Sequence, residues 1–438
     1  MWLLPLFPRV AAFATHTFYK TTVTGGTIPT EGPLVLVGNH PNSLLDPLFL
    51  VSVARRPVRF LAKAPLFSNP WTSWAVNAVG AIPVYRPKDN PALVRQNASM
   101  FRAAHEALLS GDAVGIFPEG ISHDGPALVP VRTGAARIAL GARSRLGREF
   151  PIVPVGLFLR NKEEFRSEAH VLVGDAVAWR DIAGAEDDPG AVKELTARID
   201  ESLRGVTLNL DDWEDASLIT AAEEIYVAEH GLEPGNRSQV ERWRLAAGIL
   251  SDARRAGDAE AVRLAHEVRR HEDALNLLGL RPRDLNAETD LRSAAGWSAR
   301  GVALPVAIVV AITGALLFWV PYRLTATVVG SSGADENFRA SAKLVAGAAL
   351  FLAWIGILAA LVWRVGGWKA GAVALVLLPA LAVATLGLLE RSSEAWRDVR
   401  RFFLLRSSAR TLDGLRSRQR DLARRMKRLR DEAAPASR

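Results

Sequence analysis

Three stretches without a charged residue, close to the C-terminus, most constrain how this chain can fold. They cover residues 303–320, 344–363 and 370–389 and are 18, 20 and 20 residues long. A helix needs about 20 apolar residues to cross a bilayer, so each stretch is a candidate membrane span. Most of the aromatic residues Trp319, Tyr322, Trp354, Trp363 and Trp368 lie near ends of these stretches, as is typical of membrane interfaces. The alternative is a soluble helical core, whose helices are rarely so uniformly apolar.

The six-residue link at 364–369 predicts a helical hairpin from the second and third stretches. The first stretch is the shortest and contains Pro305, so we expect it to be only partly inserted. Residues 390–438 form a basic helical tail with 15 Lys and Arg against 7 Asp and Glu, the whole net charge of +8. Such a tail is expected on the cytoplasmic side. If the soluble part lies there too, an even number of crossings must separate them, which three spans would not provide.

The rest of the chain has no net charge, which argues against a nucleic-acid-binding domain with its own basic face. The tail is expected to lie on anionic lipid, to form a coiled pair or to stay solvated. The absence of cysteine excludes a disulfide scaffold, thiolate metal ligands and a cysteine nucleophile. Residues 1–20 are apolar but interrupted by Pro5, Pro8 and Arg9. We interpret them as an interfacial or core helix, not as a cleaved secretory signal.

Residues 21–180 alternate short β-rich runs with helical stretches, which predicts an α/β domain with a mainly buried sheet flanked by helices. Residues 181–300 are charged and rich in Ala and Leu, which predicts an all-α extension before the membrane region at 301–389. The predicted strands are 34–37, 113–117, 152–155 and 171–173. The predicted helices are 91–109 and 134–146, followed in the extension by 191–204, 215–230, 238–255 and 258–277.

The strongest chemical signal follows the first predicted strand, where His40 precedes Asp46. A carboxylate that accepts one ring N–H of a histidine leaves the other nitrogen free to take a proton from a hydroxyl. This spacing therefore indicates a general base. Taken alone, a loop histidine and an aspartate that caps a helix explain the same residues.

Two further blocks carry charged residues at predicted strand ends. Arg86 follows a short apolar strand and is suited to bidentate contact with a phosphate, although a surface arginine is the simpler reading. Glu119 and Ser122 lie in a turn after the strand at 113–117, where Gly120 lets backbone N–H groups approach a ligand. A plain turn explains these residues as well. Arg132, just before a predicted helix, is a second candidate for anion contact.

These blocks, in this order, resemble the glycerolipid acyltransferase family of the PlsC type over roughly residues 25–180. That family has a His and an Asp usually separated by four residues, a Gly followed by an aromatic–Arg pair, Phe-Pro-Glu-Gly-x-Ser and a proline-rich strand. The corresponding residues here are His40 and Asp46, Gly80 with Tyr85 and Arg86, Phe117 to Ser122, and Pro151 to Pro154. Because five residues separate His40 from Asp46, a loop or extra turn at 41–43 has to absorb the additional one.

The longer His–Asp spacing and the motifs at 117–124 and 161–167 resemble the fungal-type glycerol-3-phosphate/dihydroxyacetone-phosphate acyltransferase branch. The resemblance implies that His40 deprotonates an acceptor hydroxyl, which attacks an acyl thioester directly. Acyl-CoA or acyl-ACP would be the co-substrate, and no metal or other cofactor is expected. The substrate-binding residues it implies are Arg86, Lys63 and Arg132 for the phosphate, and Phe117, Pro118, Glu119, Gly120 and Ser122 around the acceptor.

The expected function is therefore a membrane-bound enzyme that acylates glycerol-3-phosphate, with its catalytic domain on the cytoplasmic face and membrane lipids as partners. A 1-acylglycerol-3-phosphate acyltransferase and a non-catalytic lipid-binding membrane protein remain alternatives. A transporter with an appended soluble domain is a further one, weakened by the absence of ionisable residues within the three apolar stretches. The sequence does not determine the oligomeric state.

Overall fold

A computed structural model describes residues 4–70, 72–86, 92, 95, 97–159, 161–232, 237–286, 304–331, 336–407 and 409–433. The chain forms two compact units. The first comprises residues 1–216, 235–247 and 335–341, and it contains the sheet. The second comprises residues 217–234, 248–334 and 342–438, and it contains the apolar helices and the tail.

A seven-stranded mixed sheet organises the first unit. Its strands run in the order β1-β7-β6-β2-β5-β3-β4, and among these neighbours only β6 and β7 pair antiparallel. The strands are β1 (Lys20–Gly25), β2 (Leu34–Gly38), β3 (Val58–Lys63), β4 (Ile82–Val84), β5 (Ala113–Ile116), β6 (Ile152–Leu159) and β7 (Glu168–Val173). Because β2, β3, β4, β5 and β6 are parallel, their carboxyl ends meet at one edge of the sheet.

The sheet and its helices confirm the predicted α/β class. All five residues of β2 and all four of β5 are buried, as expected for central parallel strands covered on both faces. The helices of this domain are α1 (Phe7–Phe18), α2 (Leu45–Ala54), α3 (Pro65–Ser68), α4 (Ser73–Ala78), α5 (Asn97–Leu109), α6 (Gly134–Leu146) and α7 (Pro189–Val206).

Two strands were not predicted. The edge strand β1 carries three threonines and a lysine, so it lacks the apolar run that indicates a buried strand. In β3 the arginine Arg59 interrupts the apolar pattern, and the structure satisfies its guanidinium with the carbonyl oxygen of Gly80, 2.9 Å away. Tertiary contacts outweighed the local signal at both positions.

The helices α8 (Trp213–His230), α9 (Arg237–Ala256), α10 (Ala259–Leu278) and α11 (Pro282–Leu285) follow α7. The four helices predicted between residues 191 and 277 all form, as α7 to α10, and their ends shift by at most two residues. Residues 233–236 and 287–300 of the predicted extension lie outside the described residues.

The apolar region contains α12 (Leu304–Ser331) and α13 (Glu336–Ser407). Both are long and apolar enough to cross a membrane. The backbone of α13 leaves the helical conformation at Gly367, inside the link predicted for the hairpin. Trp354, before Gly367, donates a hydrogen bond to the Leu317 carbonyl oxygen of α12, while Thr385, after it, packs against Gly314. Since a straight helix would separate Trp354 and Thr385 by about 46 Å, the chain reverses at Gly367.

The first apolar stretch forms a longer helix than its charge-free window at 303–320 suggested, and it remains the less apolar of the two candidate spans. α12 has 28 residues and continues through Pro321 to Ser331, which gives it a length of about 42 Å. The charge-free window ended at Val320 because Arg323 lies soon after it. A single arginine does not end a helix, and the following residues extend it by two turns.

The basic tail forms α14 (Ala409–Ala433), and its apolar face is covered within the second unit. Leu422 and Ala423 are buried against Leu264 and Val268 of α10, and against α8. Arg425 also forms an ion pair with Glu267 (2.7 Å). This packing differs from the expected tail on lipid, in a coiled pair or in solvent, because the partner for its leucines is supplied by α8 and α10.

Candidate active site

The centre of the site is a hydrogen-bonded pair of His40 and Asp46. His40 follows β2, and Asp46 lies in the first turn of α2. The His40 Nδ1 atom lies 2.7 Å from Asp46 Oδ2, and the backbone N–H of Asn42 donates to the same oxygen at 2.7 Å. A carboxylate that accepts at Nδ1 keeps the ring hydrogen there, so Nε2 is the basic nitrogen. The pair has the geometry of a general base and the group that orients it.

The loop between these residues absorbs the additional residue of the His–Asp spacing. Ser43 adopts a left-handed conformation with φ of 43°, which is uncommon for a residue other than glycine. Its N–H donates to Ser122 Oγ at 3.1 Å, and the Asn42 carbonyl oxygen accepts from the N–H of Leu45 at 3.0 Å. This tight turn brings Asp46 back to His40 despite the longer spacing.

Asp46 has a side chain with no solvent exposure. Burial raises the pKa of its carboxyl group above the ordinary value, while the hydrogen bonds from His40 and from the Asn42 backbone act in the opposite direction. The other carboxylate oxygen, Oδ1, has no hydrogen-bond partner among the described residues, so its loss of hydration is uncompensated.

Neighbouring side chains hold the His40 ring in place. The ring of Phe117 stacks on it with centroids 4.2 Å apart and planes 8° from parallel. The adjacent Asn39 fixes the end of β2 to β6, because its amide donates to the Leu157 carbonyl oxygen (2.9 Å) and accepts from the Leu157 N–H (2.7 Å). The His40 side chain is therefore largely enclosed, with 19% of it accessible.

Both carboxylate oxygens of Glu119 are bonded to neighbouring residues of the protein. Its Oε1 accepts from the His40 backbone N–H at 2.8 Å, and its Oε2 accepts from the Val129 N–H and contacts His123 Nε2. Since the residue is only 2% exposed, it holds the His40 loop and presents little surface to a substrate. Glu119 can therefore shape the acceptor site through the His40 backbone, and its role in substrate binding stays a prediction.

His123 completes this network. Its backbone N–H donates to the His40 carbonyl oxygen at 3.2 Å, and its Nδ1 accepts from the Gly125 N–H at 2.9 Å. Because Nδ1 is an acceptor there, the ring hydrogen lies on Nε2 and points to Glu119. His123 is thus a partner of Glu119, and its geometry does not suit a second base.

The remaining residues of the Phe117–Ser122 block shape the backbone of the site. Gly120 has φ of 72°, and a Cβ atom there would lie 2.9 Å from Nε of Arg132. The Arg132 N–H donates to the Pro118 carbonyl oxygen at 2.9 Å, so its exposed side chain lies over this turn. Glycine at position 120 allows both the left-handed backbone and the close approach of Arg132.

Lys63 and Arg86 lie at the carboxyl ends of the neighbouring strands β3 and β4. Lys63 is paired in register with Val84, and Arg86 follows two residues later. The turn before Arg86 is fixed by Asn97 of α5, whose amide bonds the N–H and the carbonyl oxygen of Tyr85 at 2.9 and 2.8 Å. Neighbouring strands of a sheet lie about 4.8 Å apart. Lys63 and Arg86 lie two and three strands from the strand that precedes His40, on the same side as Glu119.

Two buried polar residues beneath the His40 loop, Asn42 and Tyr19, were not predicted from the sequence. The amide of Asn42 donates to the hydroxyl of Tyr19 at 3.1 Å, and that hydroxyl contacts the Lys162 carbonyl oxygen. Both side chains are fully buried, and burial raises the pKa of the Tyr19 hydroxyl well above its ordinary value. The position of Asn42 inside the His–Asp block was the only local signal. Tyr19 gave none, because it belongs to the segment between α1 and β1.

This arrangement places a histidine with the geometry of a general base at the edge of an α/β sheet. Residues 20–157 match the family model described as Acyltransferase. Over these residues the chain is similar to the Acyltransferase family, as its sequence motifs indicated.

Curated relatives are similar to part of this chain. Glycerol-3-phosphate O-acyltransferase 2 of Saccharomyces cerevisiae is 35% identical over 134 residues, which are 30% of this chain and 18% of the yeast protein. A chloroplastic 1-acyl-sn-glycerol-3-phosphate acyltransferase of Brassica napus is 30% identical over 149 residues, 34% of this chain and 40% of the plant protein. The chain thus spans less than a fifth of the yeast protein that it matches.

A solved structure also overlaps with the chain. The PlsC 1-acyl-sn-glycerophosphate acyltransferase of Thermotoga maritima aligns with 46% of this chain and 77% of its own, with 18% sequence identity and a TM-score of 0.35.

Proposed function

We propose that this protein transfers a fatty acyl group from a thioester donor to a hydroxyl of glycerol-3-phosphate. The observation that carries the proposal is the His40–Asp46 pair, whose Nε2 is left as a base at the strand edge. The match of residues 20–157 to an acyltransferase family supports the reaction class.

In the proposed reaction, His40 Nε2 takes the proton of the acceptor hydroxyl while the hydroxyl oxygen attacks the carbonyl carbon of the thioester. The new C–O ester bond forms, the C–S bond breaks, and the thiol leaves with the proton that His40 held. Asp46 stabilises the imidazolium that exists between these steps. No acyl-enzyme is formed, and the nearby Ser43 and Ser122 do not lie in the Gly-x-Ser-x-Gly turn of serine hydrolases.

The phosphate of the acceptor is proposed to bind at the ends of β3 and β4. Lys63 and Arg86 there supply two positive charges displaced from His40 along the sheet edge. An arginine binds phosphate oxygens in a bidentate manner, and a lysine adds a mobile charge. The long side chains span the remaining distance to a phosphate whose hydroxyl end lies at His40. Arg132 is a third cation near the Glu119 turn.

The names of the relatives support a glycerol phosphate acceptor but divide between two compounds. Two yeast relatives are glycerol-3-phosphate O-acyltransferases, at 35% and 31% identity, and the plant relative acts on 1-acyl-sn-glycerol-3-phosphate. The higher identity favours glycerol-3-phosphate. Lysophosphatidate is the second candidate, and long-chain acyl-CoA or acyl-ACP is the proposed donor.

We propose further that α12 and α13 anchor the protein in a membrane, with the catalytic domain on the cytoplasmic face. Only 6% of the most apolar part of α13 is buried within the protein, which argues against a soluble core helix. The packing of α14 on α10 supports an even number of crossings between residues 285 and 409, which the two halves of α13 provide when α12 is only partly inserted. The basic tail and the residues before α12 would then share the cytoplasmic side.

The catalytic proposal is tested with membranes that contain the wild type, His40→Ala or the control His16→Ala. His16 is exposed on α1, where its Nδ1 bonds the Ala12 carbonyl oxygen. Radiolabelled glycerol-3-phosphate and lysophosphatidate are supplied separately, each with acyl-CoA and with acyl-ACP. We expect glycerol-3-phosphate acylation that His16→Ala retains and His40→Ala loses. Acylation of lysophosphatidate alone would favour the second acceptor, and no His40-dependent acylation would favour the non-catalytic lipid-binding alternative.

The orientation is tested with single cysteines, because the protein contains none. Cysteines replace the exposed Arg283, the exposed Arg420 and Trp368 beside the Gly367 reversal. They are labelled in sealed, right-side-out vesicles with a membrane-impermeant maleimide. Positions 283 and 420 are expected to react only after permeabilisation. Labelling of one of these two but not the other in sealed vesicles would refute the even number of crossings.

A further inference from the structure

The catalytic loop is held by a residue almost 300 positions further along the chain. Ser341 lies near the start of α13, in the part of that helix that belongs to the first unit. Its Oγ accepts from the backbone N–H of Leu44 and donates to the backbone carbonyl oxygen of Asn42, both at 3.2 Å. A hydroxyl can do both at once because it has one hydrogen and two lone pairs. Ser341 is 1% exposed, so water does not compete for these bonds.

The loop that Ser341 bonds has a strained backbone, which needs stabilising contacts. It runs from His40 to Asp46 and includes Ser43 in a left-handed conformation, which is unfavourable for a residue with a Cβ atom. Such backbone strain persists only where surrounding contacts determine the conformation. Ser122 supplies one of these contacts at Ser43, and Ser341 supplies those on either side of it, at Asn42 and Leu44.

A second contact from the same turn of α13 reaches another loop of the site. Arg339 forms an ion pair with Glu163 at 3.7 Å. Glu163 follows Lys162, whose carbonyl oxygen contacts the Tyr19 hydroxyl below Asn42. Residues 339–341 therefore touch both the His40 loop and the 161–167 segment, which the sequence motifs had singled out but the reaction itself does not use.

We infer that Ser341 is a positioning residue of the His40–Asp46 pair, and that the start of the long apolar helix thereby completes the catalytic site. Ser341 lies outside the 20–157 family match, so the matched domain by itself lacks this support. The inference rests on the proposed function for its catalytic consequence, whereas its structural part concerns only the backbone of residues 42–44.

The test compares Ser341→Ala with Ser341→Thr and with the control Ser144→Ala in the 438-residue chain. Ser341→Ala removes the hydroxyl, Ser341→Thr keeps it, and Ser144 bonds only within α6 among the contacts described, at the Leu140 carbonyl oxygen. Hydrogen–deuterium exchange of peptides that cover residues 40–46 measures the loop directly. We expect faster exchange there in Ser341→Ala alone, because the Leu44 N–H loses its acceptor, with unchanged exchange in β2 and β5.

The kinetic readout separates positioning from binding. We expect Ser341→Ala to lower kcat about tenfold, because the loop loses support worth about one hydrogen bond. The KM for each substrate should stay within twofold of the wild-type value. Ser341→Thr should restore most of kcat. Unchanged exchange at 40–46, or a kcat within twofold of the wild type, would overturn the inference, as would exchange that rises equally throughout the sheet. If the wild type shows no His40-dependent transfer, the proposed function fails, while the exchange experiment still decides whether Ser341 holds the loop.

Discussion

Replacement of Asp46 by Asn separates the electrostatic role of the carboxylate from its shape. Asparagine has nearly the same size, and its carbonyl oxygen can still accept from the Asn42 N–H and the His40 ring N–H. The negative charge is lost, however, and so is the preference for a hydrogen on Nδ1. If the amide instead donates to Nδ1, the ring hydrogen moves to Nε2 and the base is lost.

The contact distance sets the magnitude of the effect. Two unit charges 2.7 Å apart attract each other by about 6 kcal/mol at an effective dielectric constant of about 20. This value is an upper limit for how much Asp46 stabilises the imidazolium, and it corresponds to a factor of roughly 10⁴ in rate. General-base catalysis contributes about 10²–10⁴-fold, so we expect Asp46→Asn to lower kcat within that range.

Stability should change in the opposite direction. Burial raises the pKa of Asp46, so the folded state binds a proton more tightly than the unfolded chain does. This carboxyl group therefore favours folding most at pH below its unfolded pKa of about 3.9, and the contribution is lost as pH rises through the folded pKa. Asparagine has no charge to bury. We expect Asp46→Asn to be as stable as the wild type, or more stable, at pH 7, with an advantage that vanishes near pH 4.

The assay measures initial rates of glycerol-3-phosphate acylation, with His40→Ala as the floor and Asp112→Asn as the matched control. Asp112 is 41% exposed and pairs with Arg59 at 3.5 Å, so its replacement should change kcat by less than twofold. Thermal unfolding is followed from pH 4 to pH 8. A kcat of Asp46→Asn within tenfold of the wild type would refute the charge argument. A melting temperature at pH 7 several degrees below that of the wild type would refute the burial argument.

Three further substitutions test single features of the site. Ser43→Gly should stabilise the fold by about 1 kcal/mol and raise the melting temperature by about 2–4 °C, since it removes the left-handed strain; an unchanged melting temperature would count against strain there. Arg86→Ala should raise KM for glycerol-3-phosphate at least tenfold, and Arg86→Lys should recover only part of it; an unaltered KM in steady-state kinetics would exclude phosphate contact. Gly120→Ala should lose about 1–2 kcal/mol of stability and displace Arg132, whereas Gly134→Ala, with open space at its Cβ position, should be silent in the same melting assay.

Much of the fold followed from local patterns. The helices α6 to α10 form within two residues of their predicted limits, because helical periodicity and terminal Gly or Pro residues act over a few residues. The edge strand β1 was missed because its place in the sheet comes from pairing with β7, almost 150 residues away. The length of α12 was underestimated because a stretch without charged residues shows where the chain is apolar and does not show where the helix ends.

The site, like the fold, could be predicted from the sequence only in part. His40, Asp46 and the block from Phe117 to Ser122 could be selected from sequence because residue types and spacing are local properties. Their partners could not. Glu119 was selected as a residue that shapes the acceptor site, but the sequence did not show that its carboxylate is buried against the His40 backbone.

Local sequence alone established which residues can act as a base or bind a phosphate, the order in which they occur and where the apolar stretches lie. Each of these depends only on neighbours along the chain. Tertiary structure alone decided that the loop at 41–43 absorbs the additional residue, that Ser341 bonds to Asn42 and Leu44, and that the tail packs on α10. A hydrogen bond or a buried face depends on which distant segments meet, and that is settled when the whole chain closes around its core.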